Sequence, residues 1–361
     1  MRYLIAQEWN STKGNHAGVS YMCDLLVNRY PEKYVKIVKD VPPAMYKRKN
    51  KWIRRLLWKF DYWRYLSRLR VQYRKEYMDL CRSMFERLSE NDEVFLLEYN
   101  LDETPQYDLA CYVRQHYPSV QIYALSHLTP SRFLKKNIAK NILKWDVPVD
   151  RELTLGHSLA SFFVEIGIPM TKISSGHYYV DTDYYKKSVE EILPRVNLTI
   201  ITMGALQRDF SMLASIVNKT CDKVNWIVCR GRNKEVDALF VSSPNVELKG
   251  FMQEEELREC MASADVSLNV LEDTVGSNVI TSSLAMGLAL IVSDVGSIRD
   301  YCDDSNAVFC NNSIESFTSA IQELQNDLPR VLAMRKSSLR KSKDFTIEKV
   351  DEWFDTLRRS V

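Results

Sequence analysis

Gly276-Ser277-Asn278 stands between a polar loop and an apolar helical run, a spacing suited to holding an anion. Gly276 permits a tight turn, Ser277 or Asn278 can cap the helix, and backbone N–H groups left free at a helix start favour a phosphate. Many open α/β folds carry such a loop with nothing bound, so the spacing alone leaves both readings open. Gly204-Ala205-Leu206-Gln207-Arg208 is a second candidate. Its arginine comes where a helix begins, against the helix dipole, and that misfit points to an anion nearby. A solvated arginine is the plainer alternative. Cys229-Arg230-Gly231-Arg232-Asn233-Lys234 crowds three cations into five positions, either against a ligand or in a solvated turn. Gly14, His16 and Gly18 form a weaker glycine loop, and His127 follows an apolar strand, where it either meets a ligand or makes a structural hydrogen bond. No G-x-x-x-x-G-K-[ST], H-E-x-x-H or G-x-S-x-G is present, so kinases, metalloproteases and serine hydrolases lose support.

The elements that must position these residues read as α/β. In the first half, strands are expected at 3–6, 34–38, 94–98, 120–125 and 153–155, with helices from the Gly18 loop through Asn28 and at 76–88, 108–116 and 158–166. In the second half, strands are expected at 198–204, 226–229, 246–248, 266–270, 288–292 and 307–309, with helices between. Val266, Leu268 and Val270 alternate with Ser267 and Asn269, and Gly287 sits where the next helix should stop. Asn312 and Glu315 read as a capping box for a helix ending near Asn326. The candidate loops then leave the carboxyl ends of parallel strands, where ligands of open α/β sheets bind.

A chain of 361 residues with 45% hydrophobic content is long enough for two such domains, and no apolar run reaches membrane-spanning length. Residues 1–6 read as a strand rather than a signal peptide. Eight scattered cysteines without C-x-x-C or histidine spacing argue for reduced thiols in a cytosol, and against zinc or disulfides. The net charge of +2 hides an asymmetry: residues 47–75 carry +11 and the rest −9. That segment also holds Trp52, Trp58, Phe60, Tyr62, Trp63, Tyr65 and Tyr73, a mixture suited to an anionic bilayer surface, with nucleic acid the less favoured partner and a solvated helix the bland one.

Ser283-Leu284-Ala285-Met286-Gly287-Leu288-Ala289-Leu290-Ile291 followed by Ser293-Asp294-Val295-Gly296 resembles the donor segment of GT-B retaining glycosyltransferases of family 4 (group 1), which runs E-A-M-A-x-G-x-P-V-I and then Ser-Asp-x-Gly. The resemblance is loose over most of the chain and best over residues 199–301. The family's two glutamates, eight positions apart, fall on Thr274 and Ser282, and its proline on Ala289. Glu272 and Asp273 stand just upstream as substitute carboxylates.

The resemblance implies two Rossmann-like doubly wound domains facing a central cleft: 1–180 on the acceptor side, 181–345 on the donor side, and a final helix, 346–361, packing back on the first. It implies transfer of a sugar from a UDP- or GDP-sugar to a saccharide or lipid-linked saccharide, with retention and without a metal or other cofactor. It assigns catalysis to His127, Arg208, Asp273 and Thr274. Donor binding falls to Gly18, Gly204, Arg208, Arg230, Glu272, Gly276, Ser277, Asn278 and Ser282, and the acceptor side to His16 and Gly14. Asp181-Thr182-Asp183 spells the D-x-D of the other glycosyltransferase fold, but lies in a connection and reads as accidental. The expected setting is bacterial capsule, lipopolysaccharide or exopolysaccharide synthesis at the inner face of the plasma membrane. A sugar-nucleotide epimerase and an inactive binding protein of the same fold are the alternatives.

Overall fold

The computed structural model describes residues 1–9, 13–42, 50–100, 105–135, 138–188, 192 and 197–358. Parts of the expected loop (10–12), of the basic segment (47–49) and of the final helix (359–361) therefore lie outside the described residues. The chain forms two compact units. One comprises Met1–Leu128, Phe133–Thr154 and Phe163–Ser174; the other comprises Thr129–Arg132, Leu155–Phe162 and Ser175–Val361.

The first unit is built on β1 (Arg2–Glu8), β2 (Tyr34–Asp40), β3 (Glu93–Tyr99), β4 (Gln121–Ser126), β5 (Arg151–Thr154) and β6 (Ile173–Ser175), in the order β2-β1-β3-β4-β5-β6. Strand β6 had no counterpart in the sequence reading. Helix Val19–Arg29 follows β1. The basic segment forms the helix Lys51–Arg64, capped by the Asn50 side chain, and continues through a π turn, Tyr65–Leu69, into Arg70–Phe85. Its aromatic residues are sorted by depth. Trp52, Leu56 and Trp63 are 80%, 81% and 62% exposed, whereas Tyr65 and Tyr73 are buried. These two tyrosines are core residues, so the surface holds fewer aromatics than the composition implied.

The second unit contains β7 (Thr199–Thr202), β8 (Asn225–Cys229), β9 (Val246–Lys249), β10 (Val266–Asn269), β11 (Ala289–Ser293) and β12 (Ala307–Cys310), all paired in parallel in the order β12-β11-β10-β7-β8-β9. This is the doubly wound order of dinucleotide-binding folds, and it reverses direction between β7 and β10. Alternate strand residues feed two cores. Ile200, Trp226, Leu268 and Ile291 enter one, while Ile201, Ile227, Leu290 and Val292 enter the other. Burial on both faces is why β8 and β11 read as nearly continuous apolar runs. The cap of the helix Ile314–Asn326 is Ser313, which accepts from Ser316 N, and not Asn312. Asn312 instead donates to the Leu271 carbonyl at 2.9 Å. The helix Ile347–Arg358 clusters with this second unit.

Candidate functional site

The strand order reverses between β7 and β10, and the carboxyl ends of strands at such a reversal are where open α/β sheets bind ligands. Arg208 lies in the loop after β7, at that reversal. Its Nε donates to the Met203 carbonyl (3.2 Å) and its Nη2 to Asn269 Oδ1 (3.0 Å) at the end of β10. The backbones of the two loops also join, with Glu272 N donating to Gln207 O at 3.0 Å. Arg208 is thus turned back across its own loop and is not the solvated arginine of the plainer reading. Burial lowers its pKa to about 10, and its Nη1 is buried with no hydrogen-bond partner among the described residues. Asp209 caps the helix Phe210–Thr220 by accepting from Met212 N at 2.9 Å, which offsets the adverse dipole.

Gly204 brings the arginine to the next helix. A Cβ there would lie 3.2 Å from Arg208 Nη2 and 3.3 Å from Val279 Cγ2, in the first turn of Asn278–Ala285. With φ +86, position 204 also favours glycine for its backbone. Ser277 caps the helix, as its spacing predicts, accepting from Ile280 N at 3.3 Å. Asn278 opens it, and Gly287 ends it with φ +62. Gly276, at φ +98, has a further constraint: the Tyr301 ring occupies the space a side chain would need. Tyr301 is fully buried; its hydroxyl accepts from Tyr178 N (2.9 Å) and donates to Leu155 O (2.7 Å). Sequence reasoning missed Tyr301 and Asn269. The signal for Asn269 was present, because a polar residue alternating with apolar ones in a central strand must be buried.

The other donor-side candidates are placed as follows. Thr274 Oγ1 accepts from Gly276 N at 2.9 Å, and Ser282 Oγ donates to Asn278 O at 2.6 Å within its own helix. Asp273 accepts from Thr274 N and Ser131 N, while the Glu272 side chain is exposed. Arg230 pairs with Asp237 and donates to Gly231 O, so its charge is already countered. Asp181 accepts from Asp183 N (3.0 Å) and Tyr184 N (3.2 Å), folding D-x-D into a local turn, with Asp183 exposed.

In the first unit, β1 and β3 flank the corresponding reversal. Gly18 caps the helix Val19–Arg29 with φ −81, Gly14 takes φ +74, and His16 packs against Tyr21 with ring centroids 4.3 Å apart. His127, at the carboxyl end of β4, places Nε2 2.6 Å from the Leu97 carbonyl. That nitrogen must carry the proton, and burial lowers the pKa to about 4, so the ring is neutral near pH 7. Glu98, which the sequence marks only as part of a strand, lies one residue before the end of the neighbouring β3. It accepts from Gln7 N (2.7 Å) and Trp9 Nε1 (2.5 Å), and burial raises its pKa to about 7.

Residues 197–327 match the family model of glycosyl transferases group 1. No curated protein sequence matches the chain. Among solved structures, Anabaena HepE, in complex with UDP and glucose, matches with TM-score 0.69 and 11% identity over 100% of both chains. Sucrose-phosphate synthase from Thermosynechococcus elongatus matches with TM-score 0.72 and 10% identity, over 99% of this chain and 98% of that one. TarM of S. aureus gives 0.60 and 13%, over 78% of this chain and 58% of its own. The GT-B fold expected from the donor segment is the fold of this chain, and the matched domain contains Gly204, Arg208, Asn269 and Gly276.

Proposed function

We propose that this chain, with a group 1 glycosyl transferase domain in its second unit, is a glycosyltransferase taking a nucleoside diphosphate sugar as donor. The observation that carries this is Arg208: a buried guanidinium at the sheet reversal, beside Gly204 and the first turn of Asn278–Ala285, with Nη1 unpartnered among the described residues. In the transfer, the bond from the sugar C1 to the diphosphate breaks and its electron pair goes to the leaving phosphate. The acceptor oxygen bonds C1 and gives its proton to the departing diphosphate or to water. Negative charge therefore grows on the diphosphate, where a fixed cation stabilises the transition state more than the bound substrate. HepE and TarM were solved with UDP, which supports a uridine donor over GDP.

Retention and metal independence belong to the same reading, and Asp181, committed to its turn, supports the second. With Thr274 and Ser282 engaged by backbone groups, Glu272 is the carboxylate available to the donor sugar, while Asp273 shapes its loop. His127 acts as a neutral hydrogen-bonding ring, and Gly14, His16 and Gly18 border the acceptor. The exposed Trp52, Leu56 and Trp63 among lysines and arginines support an anionic bilayer surface as partner and a lipid-linked saccharide as acceptor. Among the described residues no helix is long and apolar enough to cross a membrane. Synthesis of a bacterial surface polysaccharide is the corresponding setting. The loss of both family glutamates favours one second reading, a binding protein without transferase activity.

A panel of nucleotide sugars tested for their effect on melting temperature decides the donor. A rise with one UDP- or GDP-sugar and with its nucleoside diphosphate supports the assignment; no rise with any of them removes it.

A further inference from the structure

One face of β10 gives Val266 and Leu268 to an apolar core, but the other carries Ser267 and Asn269, both fully buried. Burying such groups in the centre of a sheet is unfavourable unless their hydrogen bonds are made. Here they are made in a line. Ser283 Oγ donates to Ser267 Oγ at 3.0 Å, Asn269 Nδ2 donates to the same oxygen at 3.0 Å, and Asn269 Oδ1 accepts from Arg208 Nη2 at 3.0 Å. The amide has one usable orientation, because turning it would point an N–H at a guanidinium N–H.

The neutrality of this partner is the unusual feature. Among the described residues Arg335 and Arg2, both buried, are held by carboxylates, Arg335 by Asp265 at 2.7 Å and Arg2 by Glu93 at 2.7 Å, and the half-buried Arg230 pairs with Asp237. Arg208 is held by an amide oxygen and a backbone carbonyl, and burial is the one cause of its lowered pKa. We infer that Asn269 is a positioning residue for diphosphate recognition, fixing the Arg208 guanidinium at the sheet reversal while leaving its charge uncancelled for the ligand. This rests on the donor site proposed above. Aspartate would hold the fork equally well but would neutralise it, so the distinction is electrical and not steric.

Calorimetric titration with the nucleoside diphosphate that binds the parent tests this, with the monophosphate as reference. Asn269→Asp should weaken diphosphate binding by about tenfold or more, Asn269→Ala by roughly three- to tenfold, and both should disappear in an Arg208→Ala background. A residue that only fills the sheet would alter the melting temperature without this charge-dependent, Arg208-dependent loss. If Asn269→Asp does not fold, Ser267→Ala, which removes the hydroxyl that holds the amide N–H, should still weaken binding roughly two- to fivefold. Parent-like diphosphate affinity in the folded Asn269 and Ser267 variants, with Arg208→Ala weakened, overturns the role of Asn269 alone. Parent-like affinity in Arg208→Ala itself overturns the donor site.

Discussion

Arg208 Nη2 donates to Asn269 Oδ1 at 3.0 Å, tying the loop after β7 to the last residue of β10 across 61 positions of sequence. These strands are neighbours only because the doubly wound order reverses between them. The guanidinium is therefore fixed at the reversal, where the loops after β7 and β10 meet, before any ligand arrives. Pre-organisation of this kind is what makes a charge effective in a transition state.

Arg208→Ala should lower kcat/KM by roughly 10²–10³, as loss of one well-placed charge-stabilising donor does. Arg208→Lys restores a charge but cannot reach both Met203 O and Asn269 Oδ1, so it should recover only a small part. Steady-state kinetics of the two variants check this. Recovery to parental activity by lysine would show that the fork geometry is irrelevant.

The pH profile of binding follows from the same group. Its pKa is lowered to about 10, so the cation is present below that value and is lost as pH rises through it. Nucleoside diphosphate affinity should begin to fall near pH 10, within a range where an ordinary arginine keeps its charge. Titrations from pH 8 to 10.5 at constant ionic strength measure the onset.

Gly276→Ala should destabilise the protein as well as weaken donor binding, because the Tyr301 ring fills the space beyond Gly276 and φ there is +98. A loss of about 1–3 kcal/mol, or roughly 2–4 °C of melting temperature per kcal/mol, is expected. Tyr301→Phe should also destabilise, by leaving Tyr178 N and Leu155 O without their partner. Unchanged melting with reduced ligand affinity in Gly276→Ala would mean that the glycine serves phosphate approach alone.

In the first unit, Glu98 has its pKa raised to about 7 by burial. The folded state therefore holds the proton more tightly than the unfolded one, and the burial penalty grows as pH rises from about 4.5 to 7. His127 has the opposite sign: its pKa is lowered to about 4, so stability from its neutral ring is lost as pH falls from about 6.5 toward 4. Glu98→Gln should gain roughly 2–3 kcal/mol on the parent between pH 5 and pH 8. Denaturant unfolding at the two values checks the sign; a variant that loses ground at pH 8 would contradict it.

Replacing Trp52, Leu56 and Trp63 by serine should reduce sedimentation with anionic vesicles while leaving melting temperature within about 1 °C, since all three are exposed. Binding should weaken with salt. Equal binding of the parent to neutral and anionic vesicles would remove the membrane assignment.

Much of the fold was legible because its strands are short apolar runs and its helices carry ordinary stops, as at Gly287. Ser277 was legible as a cap for the same local reason. What was not legible depended on tertiary neighbours. Gly276 gives no sign in sequence of the Tyr301 ring beyond it, and Arg230 gives none of Asp237 seven residues later. Tyr65 and Tyr73 share the composition of the exposed segment, yet packing takes them into the core. The carboxylate of Glu98 lies in an apolar strand, and only its burial reveals it. Ser313 prevailed over Asn312 as a cap because Asn312 is engaged by Leu271.

Acceptor-dependent release of the nucleoside diphosphate from its sugar donor is the most direct measurement of the central claim. The parent protein, given the nucleotide sugar that stabilises it and a saccharide or lipid-linked saccharide, should release nucleoside diphosphate in step with a new glycoside, with chelator present, and Arg208→Ala should release it roughly 10²–10³ times more slowly. Equal release by parent and Arg208→Ala, or donor binding with no glycoside formed from any acceptor, would contradict it.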